Sequence, residues 1–198
     1  MNMKAKIFGL MSVAVLMLVG MASSATAQDN MGMNSGMAKM SSSDQKFMMM
    51  AAKGGMAEIE MARMALQKSS NDAVKQYAQK MIDDHTMAGD ELKQLASTKG
   101  VMLPMQADTK QMAMMAKMQN LSGAKFDMMY VKEMGVKAHE NMEKLYMKES
   151  MSGKDMDAKA WAAKILPTVR MHLQMGRDMM MSMKGMKSDM SGMKSSGN

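Results

Sequence analysis

The chain has 198 residues, a net charge of +7 and no cysteine, which excludes disulfides, thiolate metal sites and a lipid-modified N-terminal cysteine. Charges of both signs are interspersed, aromatic residues are few and no basic–aromatic pattern appears, so the composition speaks against nucleic acid as a partner. The outlier is methionine, with 39 residues, far beyond ordinary usage.

Residues 1–27 read as a cleavable secretory signal. Lys4 and Lys6 precede an apolar run over 7–22, and Ala25-Thr26-Ala27 offers small residues at a cleavage site. That run is short for a membrane span, and no later segment is apolar enough for one. Five of the 39 methionines would leave with the signal, so 34 would remain in the mature chain. The expected compartment is the periplasm, with the mature protein soluble or peripherally attached to the envelope. Residues 28–43 (QDNMGMNSGMAKMSSS) have no periodicity that could bury a face, and a disordered Met-rich linker is expected there.

The bundle domain is expected over 44–184. A first helix over 44–69, capped by Ser43, places Phe47, Ala51, Gly55, Ile59, Ala62 and Leu66 on one stripe; Gly54-Gly55 inside it suggests close approach by a neighbour. Ser69-Ser70-Asn71 breaks the chain and caps a second helix over 72–99, whose seam is Ala78, Met81, His85, Ala88, Leu92 and Leu95; Gly100 ends it and Pro104 follows. A short helix is expected over 108–121 and a break at Ser122-Gly123. A longer helix over 124–149 then carries Val131, Met134, Ala138, Met142 and Leu145 on one stripe. After a turn at Ser152-Gly153, the last helix begins near Lys154 and presents Trp161, Ile165, Val169, His172, Gly176, Met179 and Met183, with Pro167 inside it. Gly185 and Gly192 argue for a flexible Met/Lys-rich tail over 185–198. No stretch alternates with period two. The expected fold is all-α, an up-and-down four-helix bundle with disordered Met-rich tails.

Four segments carry a family resemblance: GGMAEIEMARMA (54–65), VKQYAQKMIDDHTMAGDELKQLASTKGVMLP (74–104), LSGAKFDMMYVKEM (121–134) and AWAAKILPTVRMHL (160–173). On these the chain resembles the exported bacterial family known as domain of unknown function 4142. The resemblance implies a ferritin-like helical bundle in the periplasm or outer membrane and no particular activity. Its recurrent polar positions match Glu58, Glu60, Asp84, His85, Asp127, His139 and His172. Where the family often has an acidic residue just before the second histidine, this chain has Ala138.

Chemistry has few places to sit. The three histidines, His85, His139 and His172, fall on three different helices, and the first helix adds Glu58 and Glu60. A histidine on a buried seam is costly unless hydrogen-bonded or liganded. Bundles build metal sites from such inward side chains, but the di-iron version needs Glu-x-x-His pairs, and the chain has none. Soft-metal spacing is present instead: His139 with Met142, His172 with Met175, and Met81 with His85 share helix faces three or four residues apart. Imidazole with thioether suits Cu(I) or Ag(I). The candidate ligand set is therefore His85, His139, His172, Met81, Met142, Met175 and Glu58. No nucleophile elbow, phosphate loop or triad is present, which argues for a binding protein and not an enzyme. Two other readings stand beside metal binding or buffering. One is a metal-free structural or stress-related envelope protein with methionine replacing leucine in the core; the other is an oxidant sink using reversible sulfoxide formation.

Overall fold

The computed structural model describes residues 40–195, with side chains through 185. The expectations for the signal, for most of the linker and for the tail side chains therefore lie outside the described residues. Helix α1 (Ser42–Lys68) starts slightly earlier than expected, because Ser41 and not Ser43 caps it, its hydroxyl accepting the Asp44 N–H at 3.2 Å. Helix α2 (Asp72–Lys99) has the expected ends. The Asn71 side chain accepts the N–H groups of Ala73 and Val74, and Gly100 closes the helix at φ 64°, a conformation that favours glycine. Helix α3 (Thr109–Gln119) opens on a reciprocal box in which Asp108 and Gln111 each cap the other's backbone N–H.

The single helix expected over 124–149 is three segments: α4 (Gly123–Tyr130), a π-helical segment (Val131–Ala138) and α5 (His139–Ser152). Helix α6 (Met156–Ser195) contains Pro167 and passes through both Gly185 and Gly192. The boundary expected at 184/185 is thus not a helix end; two isolated glycines lower helix propensity by only about 1 kcal/mol each.

The phase of α1 also differs from expectation. Its buried residues include Asp44, Phe47, Met48, Ala51, Gly54, Glu58, Met61, Ala62 and Ala65, whereas Gly55, Ile59 and Leu66 are only partly covered. The stripe is turned by about one residue, and that rotation carries Glu58 into the interior.

The connections show that the bundle is not simply up-and-down. At one end the Asp44 carboxylate, near the start of α1, accepts the N–H groups of Lys154 and Asp155 at 2.8–3.3 Å. Lys99, at the end of α2, pairs there with Asp155 and Asp157 at 2.8 and 2.6 Å. At the other end Lys68, closing α1, donates to the Gln119 carbonyl and lies over the Phe126 ring, at the start of α4. The chain from α2 to α4 must therefore travel the length of the bundle. It does so along α1, with Gln111 bonded to the Lys53 carbonyl on the way. This is all-helical architecture with one long crossover, consistent with the ferritin-like arrangement that the family resemblance implies.

Around the ring, α1 packs on α2 and α5, and α6 packs on α2, on α5 and on the π-helical segment. The core has two apolar clusters. One gathers Phe47, Met48, Leu92, Tyr146, Trp161 and Val169; the other gathers Met61, Tyr77, Met81, Met118, Phe126, Tyr130 and Met134. Phe47, Tyr146 and Trp161 meet edge-on or tilted, with centroids 5.3–5.9 Å apart. In sequence order along each long helix, Glu58, His85, His139 and His172 fall between the residues of these two clusters, forming a polar layer within the bundle.

Candidate metal centre

Each of three helices brings one histidine to this layer: His85 on α2, His139 at the start of α5 and His172 on α6. Two local features aim the last two. The π-helical segment takes more residues per turn than an α-helix, so the residues after it rotate relative to the expected stripe. His139, expected beside the stripe, becomes fully buried, while Ala138 and Met142 are only partly covered. Four residues before His139 stands Gly135, and four residues after His172 stands Gly176. A side chain on Gly176 would collide with the Gly135 carbonyl, and one on Gly135 would lie 3.3 Å from the Gly176 Cα. The two glycines let the backbones touch one turn from the histidines they carry.

One nitrogen from each of His85, His139 and His172 lies within 4.8 Å of the others. The ring centroids are 5.2–5.8 Å apart. Hydrogen-bond partners fix the tautomers. His139 Nδ1 sits 2.7 Å from the Met134 carbonyl, which can only accept, so Nδ1 carries the proton and Nε2 presents a lone pair. His172 Nε2 lies 2.7 Å from Asp84 Oδ2 and donates to that carboxylate, leaving a lone pair on Nδ1. These two lone-pair nitrogens, His139 Nε2 and His172 Nδ1, face each other at 3.3 Å. Beside them, His85 Nε2 is buried without a hydrogen-bond partner. A carbonyl and a carboxylate behind metal-facing imidazoles are the outer contacts that orient histidine ligands in metal sites.

The electrostatics keep the His85 and His172 rings neutral. Burial, followed by the neighbouring His139 and His172, pushes His85 down to about 3. Burial pulls His172 down to about 4, against the opposing effect of the hydrogen bond it donates to Asp84. Burial pushes Asp84 upward, but the hydrogen bonds from His172 and Lys80 outweigh it and hold the carboxyl below its ordinary value. Glu58 is 2% exposed, and neither carboxyl oxygen has a hydrogen-bond partner. Burial raises its pKa, with His139, whose Nδ1 is 3.8 Å away, pulling the other way. Three imidazole donors and one uncompensated carboxyl in a buried layer form a site suited to a cation.

Of the seven residues proposed from sequence, the structure brings the three histidines together and puts Glu58 against His139. Met142 lines a cleft of about 140 Å³ with His85 and His172. Its terminal methyl fills the space where a Gly54 side chain would be. Met81 and Met175 pack with the apolar cluster around Tyr77 and Tyr130. Residues three or four apart share a face but lie one turn apart along the axis, so a methionine beside a histidine in sequence is readily carried into the adjacent apolar layer. Glu60 is exposed on α1. Sequence reasoning left out of the ligand set Asp84, although the family pattern marks it, and Tyr77, whose hydroxyl donates to the His172 carbonyl at 3.3 Å. The Met134 carbonyl carries no side-chain signal at all.

An all-helical bundle with one long crossover and a buried histidine layer is the class this geometry defines. Residues 30–179 match the family described as Domain of unknown function (DUF4142), and the chain belongs to that family. Among solved structures, the chain is similar to a crystal structure of a DUF305 fragment from Deinococcus radiodurans. The TM-score is 0.62 at 11% identity, covering 71% of this chain and 97% of that one, a likeness of fold. No curated protein matches the chain.

Proposed function

We propose that this protein is an exported binding protein, not an enzyme, that holds or buffers a soft monovalent ion, Cu(I) or Ag(I), in the polar layer of its bundle. The observation that carries the reading is the convergence of three imidazole nitrogens within 4.8 Å, two of them backed by the Met134 carbonyl and by Asp84. His85, His139 and His172 would be the ligands, with the Met142 thioether at the edge of the site and Glu58 as the nearby charge. Charge favours a monovalent ion: one positive charge beside one buried carboxylate is balanced, whereas a divalent ion leaves an uncompensated charge in a dry interior. Imidazole and thioether together also favour Cu(I) over hard cations. Export would place the site in a compartment where a thioether, unlike a thiol, forms no disulfide.

The rival reading, a metal-free envelope protein with methionine as filler, is favoured by Met48, Met61, Met81 and Met118, which are wholly inside the core. Titration of the mature chain with Cu(I) under reducing conditions, and separately with Ag(I) and Zn(II), separates the two when read by native mass spectrometry and thermal unfolding. Metal binding predicts one saturable monovalent ion and a stability gain of about 2.7 kcal/mol at a hundredfold excess over Kd. That gain disappears in the His139→Ala/His172→Ala variant. An absence of saturable Cu(I) or Ag(I) binding would defeat the reading, and preferential uptake of Zn(II) would correct the metal.

A further inference from the structure

Among the described residues, two clefts that reach the histidine layer differ in what they offer an ion. The first, between α2 and α6, touches both His85 and His172 and is lined by Met87 and Met142. The second, of about 270 Å³, lies between α1 and α2 and touches His85 alone of the three histidines. Their charged linings are opposite in balance. Around the first stand two carboxylates, Asp84 and Glu91, and one ammonium, Lys164; around the second stand two cations, Arg63 and Lys93, and one carboxylate, Asp90. Lys80, paired with Asp84 at 3.0 Å, balances the first, while the second keeps a net positive charge, so a cation meets less repulsion at the first.

We infer that the α2–α6 cleft is the route by which the ion reaches the histidines, with Met87 as the capturing thioether and Met142 as the step between it and the rings. The inference rests on the metal-binding reading. Met87 is 60% exposed yet lines the cleft, so its side chain faces solvent and the interior path at once. Met142 lies deeper, its sulfur 3.2 Å from the position a Gly54 Cβ would take, while His85 Nδ1 lies 3.8 Å from that of the adjacent Gly55. The thioether and the first imidazole thus approach neighbouring positions on α1. Glu91 and Lys164 bridge α2 and α6 at this cleft at 2.7 Å. An ion pair so exposed contributes little stability, so the mouth opens at small cost. Each step exchanges one neutral soft donor for another, with no change in the oxidation state of the ion.

The test is the rate at which the full mature chain takes Cu(I) from a coloured competing chelator, alongside the equilibrium affinity. Met87→Leu keeps shape and removes only the sulfur; it should slow uptake several-fold and leave the affinity as it was. Glu91→Lys reverses the charge of the mouth and should slow uptake by roughly tenfold, within the range by which steering alters association rates, with the loss reduced at high salt. Met56→Leu, in the second cleft, should load at the wild-type rate. Wild-type rates in both Met87→Leu and Glu91→Lys, or a Met56→Leu variant as slow as Met87→Leu, would overturn the route while leaving the metal site standing. Failure of the wild-type chain to take Cu(I) at all would remove the site and the route together.

Discussion

Two clusters of buried polar side chains occupy this bundle, and they are finished to different degrees. At the end where α1 begins, Asp44 accepts two backbone N–H groups, and Asp155 accepts those of Asp157 and Ala158 while pairing with Lys99. That cluster caps α6 and ties three helix ends together. In the polar layer, by contrast, both oxygens of Glu58 and Nε2 of His85 lack partners, and two imidazole lone pairs face each other. Hydrogen bonds that close on themselves serve the fold; polar atoms left open inside a core cost stability, and in this layer they coincide with the proposed ion site.

Acid should expose the largest difference. Burial holds His85 at about 3 and His172 at about 4 in the folded chain, while the unfolded chain takes up both protons near 6.5. Their contribution is complete above about 6.5 and is lost as pH falls toward the folded values, at about 1.4 kcal/mol per pH unit for each ring. Urea unfolding between pH 7 and 4.5 should show this slope, and it should flatten in His85→Leu. An unchanged slope in that variant would mean that His85 is not held neutral.

Closing the gap between the helices is the next most sensitive feature. Gly176→Ala drives a methyl into the Gly135 carbonyl, and backbone cannot yield as a flexible side chain does. A loss of about 3 kcal/mol is expected, at the upper end of overpacking, together with weakened ion binding through displacement of His172. Thermal unfolding and Cu(I) titration check the two parts separately.

Substitutions in the two polar clusters should have opposite signs. Asp44→Ala strands the Lys154 and Asp155 N–H groups and should cost about 2 kcal/mol. Glu58→Met removes a buried carboxyl that has no partner and should stabilise the metal-free protein by about 1–2 kcal/mol while weakening Cu(I) binding. Destabilisation by Glu58→Met would show that the carboxyl belongs with the structural cluster and not with the open one.

The smallest expected effect lies at the edge of the end cluster. Burial, then Asp44 and Asp155, raises Glu149 to about 7, and one of its oxygens is unpaired. A raised carboxyl favours the fold below its unfolded pKa and loses that contribution as pH rises through 7. Glu149→Gln should therefore stabilise by roughly 1 kcal/mol at pH 8 and by less at pH 5.

The sequence by itself determined the helices, most of their ends and the separation of the three histidines among them. Those properties are local: Asn71 and Asp108 satisfy N–H groups within their own first turns, Gly100 takes a conformation that side chains disfavour, and apolar spacing reports an amphipathic face. Tertiary structure decided which polar groups turned inward. Hydrophobic spacing put Ile59 on the buried stripe of α1 although Glu58 stood among the candidate ligands, and the packed bundle turns the carboxyl inside. Likewise the expected stripe through Ala138 and Met142 assumed α-helical winding. The π-helical turn that brings His139 into the core, and the Gly135–Gly176 contact beside it, depend on the fit between two helices distant in sequence, which no local pattern encodes.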